Sequence, residues 1–404
     1  MKQVAITRRS VLAGATAGAA LLAAPSVRAQ SGSIKIGASV PLTGWGAGGA
    51  SASTTHNYSL WADQVNAAGG IMVDGVARQI DLIVYDDRTQ TEDAVRNVER
   101  LINQDKADFI MAPWGTGFNL AVGPILNQAN YPHLAVAAVT DQAPQLAQRW
   151  KNAFFLIGQS SSAASAMVST FNRMVEEHGI EKTVALVSVQ DQFGLELSRA
   201  AKKAFAESGF EVVMESAYPL GTQDLGPIVS QAKDANPAFF VGASYPPDTI
   251  ALTEQSRILG FDPAVFYTAV GTAYPLFRDT FGAASEGVMG PGGMNMASPG
   301  LREYMAAHTA HAGSAPDYWA APVTYASLQM LQASIERVGM DRSAVIEELA
   351  TGQFETIVGS VELENNMRQE EWWVGQWQDG DFVAVGPESS SGTVLPRLAR
   401  PSWG

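Results

Sequence analysis

The sequence predicts an α/β protein in which mostly parallel sheets are flanked by helices. Apolar runs of strand length, such as KIGASV and QIDLIVYDD, alternate with amphipathic segments of helix length along most of the chain. Many of these runs are continuously apolar, which is typical of strands buried on both faces of a sheet. A chain of 404 residues has enough material for two such lobes rather than one.

The first series of elements begins with the strand KIGASV and a helix around ASTTHNYSLWADQVNAAGG. We expect that helix to end at Gly69 and Gly70, because glycine is a usual helix stop. The strand QIDLIVYDD and the helix TEDAVRNVERLINQ follow, with Glu92 and Asp93 in the first turn, where acidic side chains favour the helix dipole. The segments ADFIMAP, LAVGPILNQA and PHLAVAA repeat the alternation.

A second series continues the same alternation through TVALVSV, GLELSRAAKKAFAESG, EVVMESA, LGPIVSQAKDA, AFFVGAS, DTIALTEQSRILG and AVFYTAV. The last part of the chain differs. LREYMAAHTAHAG and YWAAPVTYASLQMLQASIERVG predict helices, and WWVGQWQDGDFVAV predicts a two-strand hairpin that turns at Asp379 and Gly380. Late helices and strands of this kind indicate that the chain returns to lobes already begun.

Residues 1–29 have the features of an export signal. The segment carries Lys2, Arg8 and Arg9, continues as a short apolar run and ends in the sequence VRA at Ala29. Its TRRSVL segment resembles the twin-arginine type of signal. The run is too short and too rich in glycine for a membrane-spanning helix. We expect cleavage after Ala29 and a location in the periplasm.

Composition excludes several classes of partner and site. The net charge is −14, and it becomes −18 without the four basic residues of the expected signal, so nucleic acid and anionic membrane surfaces are poor partners. The chain has no cysteine. Disulfides, thiolate metal sites and a lipid-anchored cysteine are therefore excluded.

Three glycines directly after the first strand have the G-x-G-x-x-G spacing of a dinucleotide-binding turn: Gly44, Gly46 and Gly49. Such a turn needs an acidic residue about 20 positions further on to hold the ribose, and Asp86 and Asp87 lie well beyond that distance. We therefore expect no cofactor. Trp45 within the loop instead favours a ligand site at the carboxyl edge of the sheet, because an indole in such a turn usually covers an apolar group.

No credible catalytic set is present in the sequence, so we expect no enzyme activity. His308 and His311 stand three residues apart without accompanying carboxylates, and we expect both to be exposed helix-end residues rather than metal ligands. Asp86 and Asp87 are expected to hold the loop after their strand, because no histidine or third carboxylate accompanies them. An exported oxidoreductase or hydrolase is the alternative from another class, and it would need bound cofactor or turnover.

Six segments share the order and spacing of a known family: IKIGASVPLTG, LIVYDDRTQTEDAVRNVERLINQDKADFIMAPWGTG, YPHLAVAAVT, SVQDQFGLELSRAAKKAF, SYPPDTIALTEQSRILG and VGQWQDGDFVAV. They resemble the branched-chain and hydrophobic amino-acid-binding proteins, the leucine/isoleucine/valine-binding type, of bacterial ABC importers. The resemblance covers essentially all of the chain after the signal. It implies a periplasmic receptor that closes on a small solute and hands it to permease subunits in the inner membrane. A cytosolic amide sensor on the same lobes is a further alternative, expected to dimerise, whereas the receptor is expected to be a monomer.

The resemblance also implies a two-lobe flytrap fold with three crossover segments, near residues 156, 288 and 358. Lobe 1 would consist of residues 33–156 and 289–358. Lobe 2 would consist of residues 157–288 and 359–404.

Site residues follow from matching motifs. In PWGTG, Thr116 holds the position that takes the ligand carboxylate, and Trp114 lines the side-chain pocket. In AAVT, Ala138 acts through its backbone and Thr140 through its hydroxyl, since such groups can hold an anion without a cation. The aromatic residues expected to cover the body of the ligand are Trp45, Phe193 and Tyr245, besides Trp114.

One departure from the family bears on the ligand. Val270 stands where the amino-acid binders have a glutamate that pairs with the ligand ammonium. A buried ammonium without an anionic partner is costly, so we expect a carboxylate with an apolar or aromatic body rather than free leucine. The alternative is a shifted alignment, with Asp248 or Glu254 supplying the charge to a branched-chain or hydrophobic amino acid. Short amides are a further possible ligand class.

Overall fold

The computed structural model describes residues 32–293, 299–369, 372–388 and 392–398. The expected export signal, residues 1–29 with cleavage after Ala29, lies outside these ranges. Every helix within them is too short or too polar to span a membrane.

The strands in chain order are β1 (Ile34–Val40), β2 (Ile71–Val73), β3 (Val76–Arg78), β4 (Ile80–Asp86), β5 (Phe109–Met111), β6 (His133–Ala135), β7 (Ala153–Phe155), β8 (Thr183–Val189), β9 (Glu211–Tyr218), β10 (Phe239–Ala243), β11 (Val265–Thr268), β12 (Met289–Pro291), β13 (Gln353–Thr356), β14 (Gly359–Glu364), β15 (Met367–Arg368), β16 (Val374–Gln378) and β17 (Asp381–Gly386).

The helices in chain order are α1 (Ala47–Ala50), α2 (His56–Ala67), α3 (Thr91–Arg100), α4 (Thr116–Gln128), α5 (Ala143–Arg149), α6 (Ser160–His178), α7 (Gln192–Glu207), α8 (Gly226–Asp234), α9 (Pro246–Leu259), α10 (Pro275–Phe281), α11 (Pro299–Ala312), α12 (Ala320–Val338) and α13 (Arg342–Thr351). Two π-helical segments, Ser51–Thr55 and Leu101–Asp105, extend α1 and α3, and Gly282–Ser285 forms a short 3₁₀ helix.

The first lobe is built around two sheets. One has the order β4-β1-β5 with parallel pairing throughout, and the other has the order β13-β14-β15-β7-β6. Strand β1 has the residues expected from KIGASV, and all but one of its side chains are buried. Helix α12 packs on this lobe through Leu328, Leu331 and Ile335, so the chain does return to its first lobe near its end.

The second lobe contains a seven-stranded sheet with the order β17-β16-β12-β11-β10-β8-β9. Strands β8 to β12 pair in parallel, with β9 at one edge of the sheet. Strands β16 and β17 pair antiparallel at the other edge. The hairpin turn is confirmed at Asp379 and Gly380, which have φ values of 56° and 90°. Helices and parallel sheets thus form the α/β two-lobe fold expected from the sequence.

Sheet membership differs from the expected division at residue 358. Strands β14 and β15 pair with β13 and β7, so residues 359–368 belong to the sheet of the first lobe. Strand β12, in contrast, joins the second sheet. The chain therefore crosses after β15, because the antiparallel pairing of β13, β14 and β15 after α13 keeps these strands together and β15 pairs with β7 of the first lobe.

The segment of residues 392–398 lies along the hairpin of the second lobe. The side-chain amide of Gln376 donates to the Arg397 carbonyl at 2.8 Å, and the Arg397 N–H donates back to the Gln376 Oε1 at 2.7 Å. The Val394 N–H donates to the Ala384 carbonyl at 2.8 Å. This part of the tail therefore docks on the second lobe, a position that the sequence did not reveal.

Candidate functional site

A small cavity lies between the two lobes at the carboxyl ends of their strands, where open α/β sheets bind ligands. Its volume is about 30 Å³. Five of the eight side chains expected at the ligand line it: Trp114, Thr116, Phe193, Tyr245 and Val270. A volume of this size holds one water molecule, so the lobes must separate to admit a solute.

Aromatic rings from both lobes meet at this cavity. Trp45 packs on Trp114 with the ring centroids 5.8 Å apart, and on Tyr245 of the second lobe with the centroids 4.9 Å apart. Phe193 lies 5.2 Å from Tyr245 by the same measure. These four aromatic side chains therefore lie together, although Trp45 itself does not line the cavity. Their expected role of covering the body of a ligand stays a prediction.

The glycine loop makes room for an indole. Helix α1 begins at Ala47, inside the G-x-G-x-x-G segment and five residues before the expected start of the first helix. A Cβ on Gly46 would lie 2.8 Å from the ring carbon Cζ3 of Trp114, and a Cβ on Gly49 would overlap the same indole. The two glycines thus allow the loop to pack directly on Trp114 beside the cavity.

Thr116 is the first residue of α4, and Gly115 before it has a φ of 99°, a conformation that favours glycine. The Thr116 hydroxyl accepts a hydrogen bond from the Val139 N–H at 3.1 Å and lies 3.3 Å from the Val139 carbonyl. Both Gly115 and Thr116 line the cavity. Because the first N–H groups of a helix have no partner within it, the amino end of α4 can receive an anionic group.

Ala138 and Thr140 do not line the cavity, whereas Ala137 and Val139 do. The chain turns at residues 136–137 directly after β6, and this turn leaves Ala137 and Val139 on the cavity side. Ala138 packs in an apolar cluster with Trp150. The Thr140 hydroxyl accepts from the Gln142 N–H at 3.1 Å. The roles expected of both residues at a ligand stay predictions.

The second lobe places two acids behind Tyr245, the half-buried Asp191 and the buried Asp248, and Asp191 was not among the residues expected from the sequence. The Tyr245 hydroxyl donates to Asp191 at 2.7 Å, and Asp248 accepts from the Tyr245 N–H at 3.2 Å. Burial raises the pKa of Asp191 and raises that of Asp248 to about 6. The DQFG motif contained a signal for Asp191, because aspartate directly before a helix is a typical N-cap. In the structure its carboxylate accepts from the Gly194 N–H in the first turn of α7.

Val270 is buried and apolar, and its carbonyl accepts from the Thr249 hydroxyl at 2.6 Å. Of the two alternative acids, Glu254 is exposed and Asp248 is buried. Asp248 is therefore the better placed of the two to face a solute.

Asp317 was also missed by the sequence analysis. It is fully buried directly before α12, and its Oδ1 accepts from the N–H groups of Trp319 at 2.7 Å and Ala320 at 2.6 Å. Trp319 and Ala320 line the cavity. Burial raises the pKa of Asp317 to about 7.

The remaining candidates lie away from the cavity lining. Asp86 and Asp87 were expected to hold the loop after their own strand, and there Asp86 accepts from the Arg88 N–H and Asp87 from the Thr89 N–H. Asp86 also accepts from Leu42 and Thr43 in the loop after β1, a contact that the sequence did not indicate. His311 is exposed, but the expectation that His308 is exposed is wrong, because its ring packs against Tyr304 and His56. The two histidines, three residues apart, therefore differ in exposure: His311 is exposed and His308 is buried.

Comparisons with known proteins agree on the kind of fold. The curated protein Leu/Ile/Val-binding protein homolog 7 of Brucella suis biovar 1 (strain 1330) is 23% identical over 358 residues, covering 84% of this chain and 88% of that protein. The branched-chain amino acid transporter substrate binding protein LivJ of Streptococcus pneumoniae, solved with isoleucine, has a TM-score of 0.75 at 21% identity and covers 88% of this chain and 100% of its own.

A solute binding protein of an ABC transporter from R. palustris, solved with benzoate, has a TM-score of 0.76 at 18% identity and covers 88% of this chain and 96% of its own. A family model described as periplasmic binding protein matches residues 33–381. The chain therefore belongs to the periplasmic binding protein family.

Proposed function

We propose that this protein is the periplasmic receptor of an ABC importer and that it captures a small carboxylate with an apolar or aromatic body. It acts as a monomer that delivers the solute to permease subunits in the inner membrane. The observation that carries the proposal is the cavity between the lobes, where aromatic rings surround the amino end of α4.

The head group of the solute binds to the first lobe. The amino end of α4 provides N–H donors without a positive charge, and the Thr116 hydroxyl, which here donates to the Val139 carbonyl, can donate to a solute instead. Such donors suit a carboxylate. No lysine, arginine or histidine is among the residues that line the cavity.

The body of the solute lies among Trp114, Phe193 and Tyr245, with Trp45 covering it from the loop after β1. Aromatic side chains bury large apolar areas and contact flat rings favourably. Of the two structural relatives above, one was solved with benzoate and the other with isoleucine, so this fold accepts both types of body.

An α-amino acid is the second candidate, and one observation favours it. Asp191 and Asp248 lie behind Tyr245, where an ammonium group would find a counter-charge after a modest movement of that ring. Val270 argues against an amino acid, because this apolar side chain lines the cavity at the position where a glutamate was expected to pair with the ammonium.

The test is a thermal-shift comparison on protein that has been unfolded and refolded to remove carried-over ligand. The panel pairs leucine, valine and phenylalanine with their deaminated acids, and adds benzoate-type acids and simple amides. A ligand present at a hundred times its dissociation constant stabilises the fold by about 2.7 kcal/mol. Shifts with the deaminated or aromatic acids alone support the proposal, and shifts with the amino acids alone assign the ammonium to Asp191 or Asp248.

The variant Thr116→Val sharpens this test, because it removes the hydroxyl and keeps the shape of the side chain. We expect the affinity for the carboxylate to fall about tenfold, as for the loss of one hydrogen bond to a charged group. Thr309→Val is the matched control, since its hydroxyl bonds only within α11. Unchanged affinity in Thr116→Val would assign the head group to another part of the site. Bound cofactor absorbance or turnover in the purified protein would instead favour the exported-enzyme alternative.

A further inference from the structure

A carboxylate of the second lobe reaches across the cleft to the first lobe. Glu196 lies on α7, and its Oε2 accepts from the Asp141 N–H at 3.0 Å. Its Oε1 accepts from the Gln142 side-chain amide at 2.8 Å. Thr140 also contributes a side-chain hydrogen bond to this carboxylate. Three consecutive residues of the first lobe therefore bind one side chain of the second.

The Glu196 carboxylate is held firmly in this position. Glu196 is only 7% exposed, and Gln192, one turn earlier on α7, donates to the same oxygen as Gln142. Burial opposes the charged form, but the hydrogen bonds from Gln142, Thr140 and Asp141 outweigh it and hold the pKa of Glu196 below its usual value. Buried carboxylates with this many donors are ionised and well ordered.

A second contact joins the same segment to the second lobe. The Asp141 carboxylate accepts from the Ser161 N–H at 2.9 Å and from the Ser161 hydroxyl at 2.8 Å, in the first turn of α6. Residues 140–142 are therefore bound to both helices of the second lobe that face them, α6 and α7.

We propose that Glu196, together with Thr140, Asp141 and Gln142, forms an interlobe latch that stabilises the closed receptor whether or not a solute is bound. The bonds run from protein to protein and need no ligand. Opening the cleft breaks all of them at once, because the donors and the acceptor lie on opposite lobes.

The latch changes the assignment of the head group, and this part rests on the proposed function. Thr140, together with the backbone of Ala138, was expected to hold the carboxylate of the ligand. In the closed form the carboxylate that they bind belongs to Glu196. The carboxylate of the solute is then expected to bind at Thr116 and the amino end of α4, which line the cavity, whereas residues 140–142 do not.

The first experiment needs no ligand. Because the chain has no cysteine, Glu99→Cys on α3 and Gln231→Cys on α8 introduce two exposed labelling positions, one on each lobe. Nitroxide labels on these cysteines report the distance between the lobes by double electron–electron resonance in refolded, ligand-free protein. Glu196→Ala is expected to lower the ratio of closed to open molecules about tenfold or more. An unchanged distance distribution in Glu196→Ala overturns the latch.

Two further variants test the mechanism. Thr140→Val removes one donor, so it should shift the distribution in the same direction by a smaller factor and add little on top of Glu196→Ala. Glu207→Ala is the control, because Glu207 is an exposed acid at the end of the same helix. A shift of the same size in Glu207→Ala would trace the effect to charge alone and contradict the latch. If Glu196→Ala does not fold, Thr140→Val alone decides the question.

The second experiment uses the solute found by the thermal-shift panel. Glu196→Ala is expected to weaken its binding about tenfold, mainly through faster dissociation. If binding becomes tighter instead, Glu196 competes with the solute for Thr140, and the latch is wrong. If no carboxylate in the panel binds, the proposed function fails while the ligand-free distance measurement still decides the latch.

Discussion

The two walls of the cleft differ in how they use polar groups. The first lobe presents neutral groups at the cavity, namely the N–H groups at the amino end of α4 and the Thr116 hydroxyl, which is hydrogen-bonded to the Val139 backbone. The second lobe presents aromatic rings and keeps its acids, Asp191 and Asp248, one layer behind Tyr245. From this difference we expect the first lobe to hold an anionic head group and the second lobe to determine which bodies and counter-charges are accepted.

Asp317 departs from this difference, because it is a buried acid beside the cavity on the first-lobe side. Its substitution gives the largest expected effect on stability. Burial raises its pKa from 3.8 to about 7, so the folded carboxyl holds its proton more tightly than the unfolded one. Stability is therefore expected to fall as the pH rises between these two values. From pH 5 to pH 8 the wild type should lose about 3 kcal/mol more than Asp317→Asn, measured by urea unfolding at both pH values.

The control for this comparison is Asp341→Asn, which changes an exposed acid that also accepts from a helix N–H, that of Ala344. This control should keep the pH dependence of the wild type. Equal pH dependence in the wild type and Asp317→Asn would mean that Asp317 is ionised in the folded protein, and that the first-lobe wall carries a negative charge after all.

The contact between the glycine loop and Trp114 gives the next largest effect. Gly49→Ala places a methyl group against the indole, and we expect a loss of about 2 kcal/mol because the buried ring has little room to move. Gly48→Ala is the matched control one residue away, where a Cβ meets no atom within 4 Å. It should stabilise the helix by about 0.5–1 kcal/mol. Chemical denaturation of both variants measures the difference, and equal stabilities would contradict the packing.

The smallest expected effect concerns the second-lobe wall. Tyr245→Phe keeps the ring and removes the hydroxyl that donates to Asp191. We expect a loss of about 1 kcal/mol in stability, because water can replace part of this bond at the partly exposed carboxylate. If amino acids are the ligands, the freed Asp191 should strengthen their binding relative to the deaminated acids in a calorimetric titration. An unchanged ratio of affinities would exclude Asp191 as the counter-charge.

Much of the fold was predictable because its strands are continuously apolar. KIGASV and QIDLIVYDD were placed as strands on this basis, and β1 and β4 do form a parallel pair, with β1 at the centre of its sheet. That the chain crosses only after β15 was not predictable, because β15 is short and its pairing depends on β7, some two hundred residues earlier in the chain. The burial of His308 likewise depends on Tyr304 and His56, packed around it in three dimensions.

Part of the cavity lining could be anticipated from the motifs that resemble the family. Thr116 and Trp114 of PWGTG and Phe193 of DQFG line the cavity, and their roles at a ligand stay predictions. Thr140 shows the limit, because the sequence does not determine which side chains after β6 face the cleft. Glu196 shows another limit, since its partners at residues 140–142 lie on the other lobe and no local pattern joins them.

The docked tail has a consequence for association between copies of the protein. Strand β17 is at the end of its sheet, and such an edge offers unpaired N–H and carbonyl groups to a strand of another molecule. The Val394 N–H donates to the Ala384 carbonyl of β17, so this carbonyl is already hydrogen-bonded. We therefore expect residues 392–398 to hinder the pairing of another strand at this point of the edge.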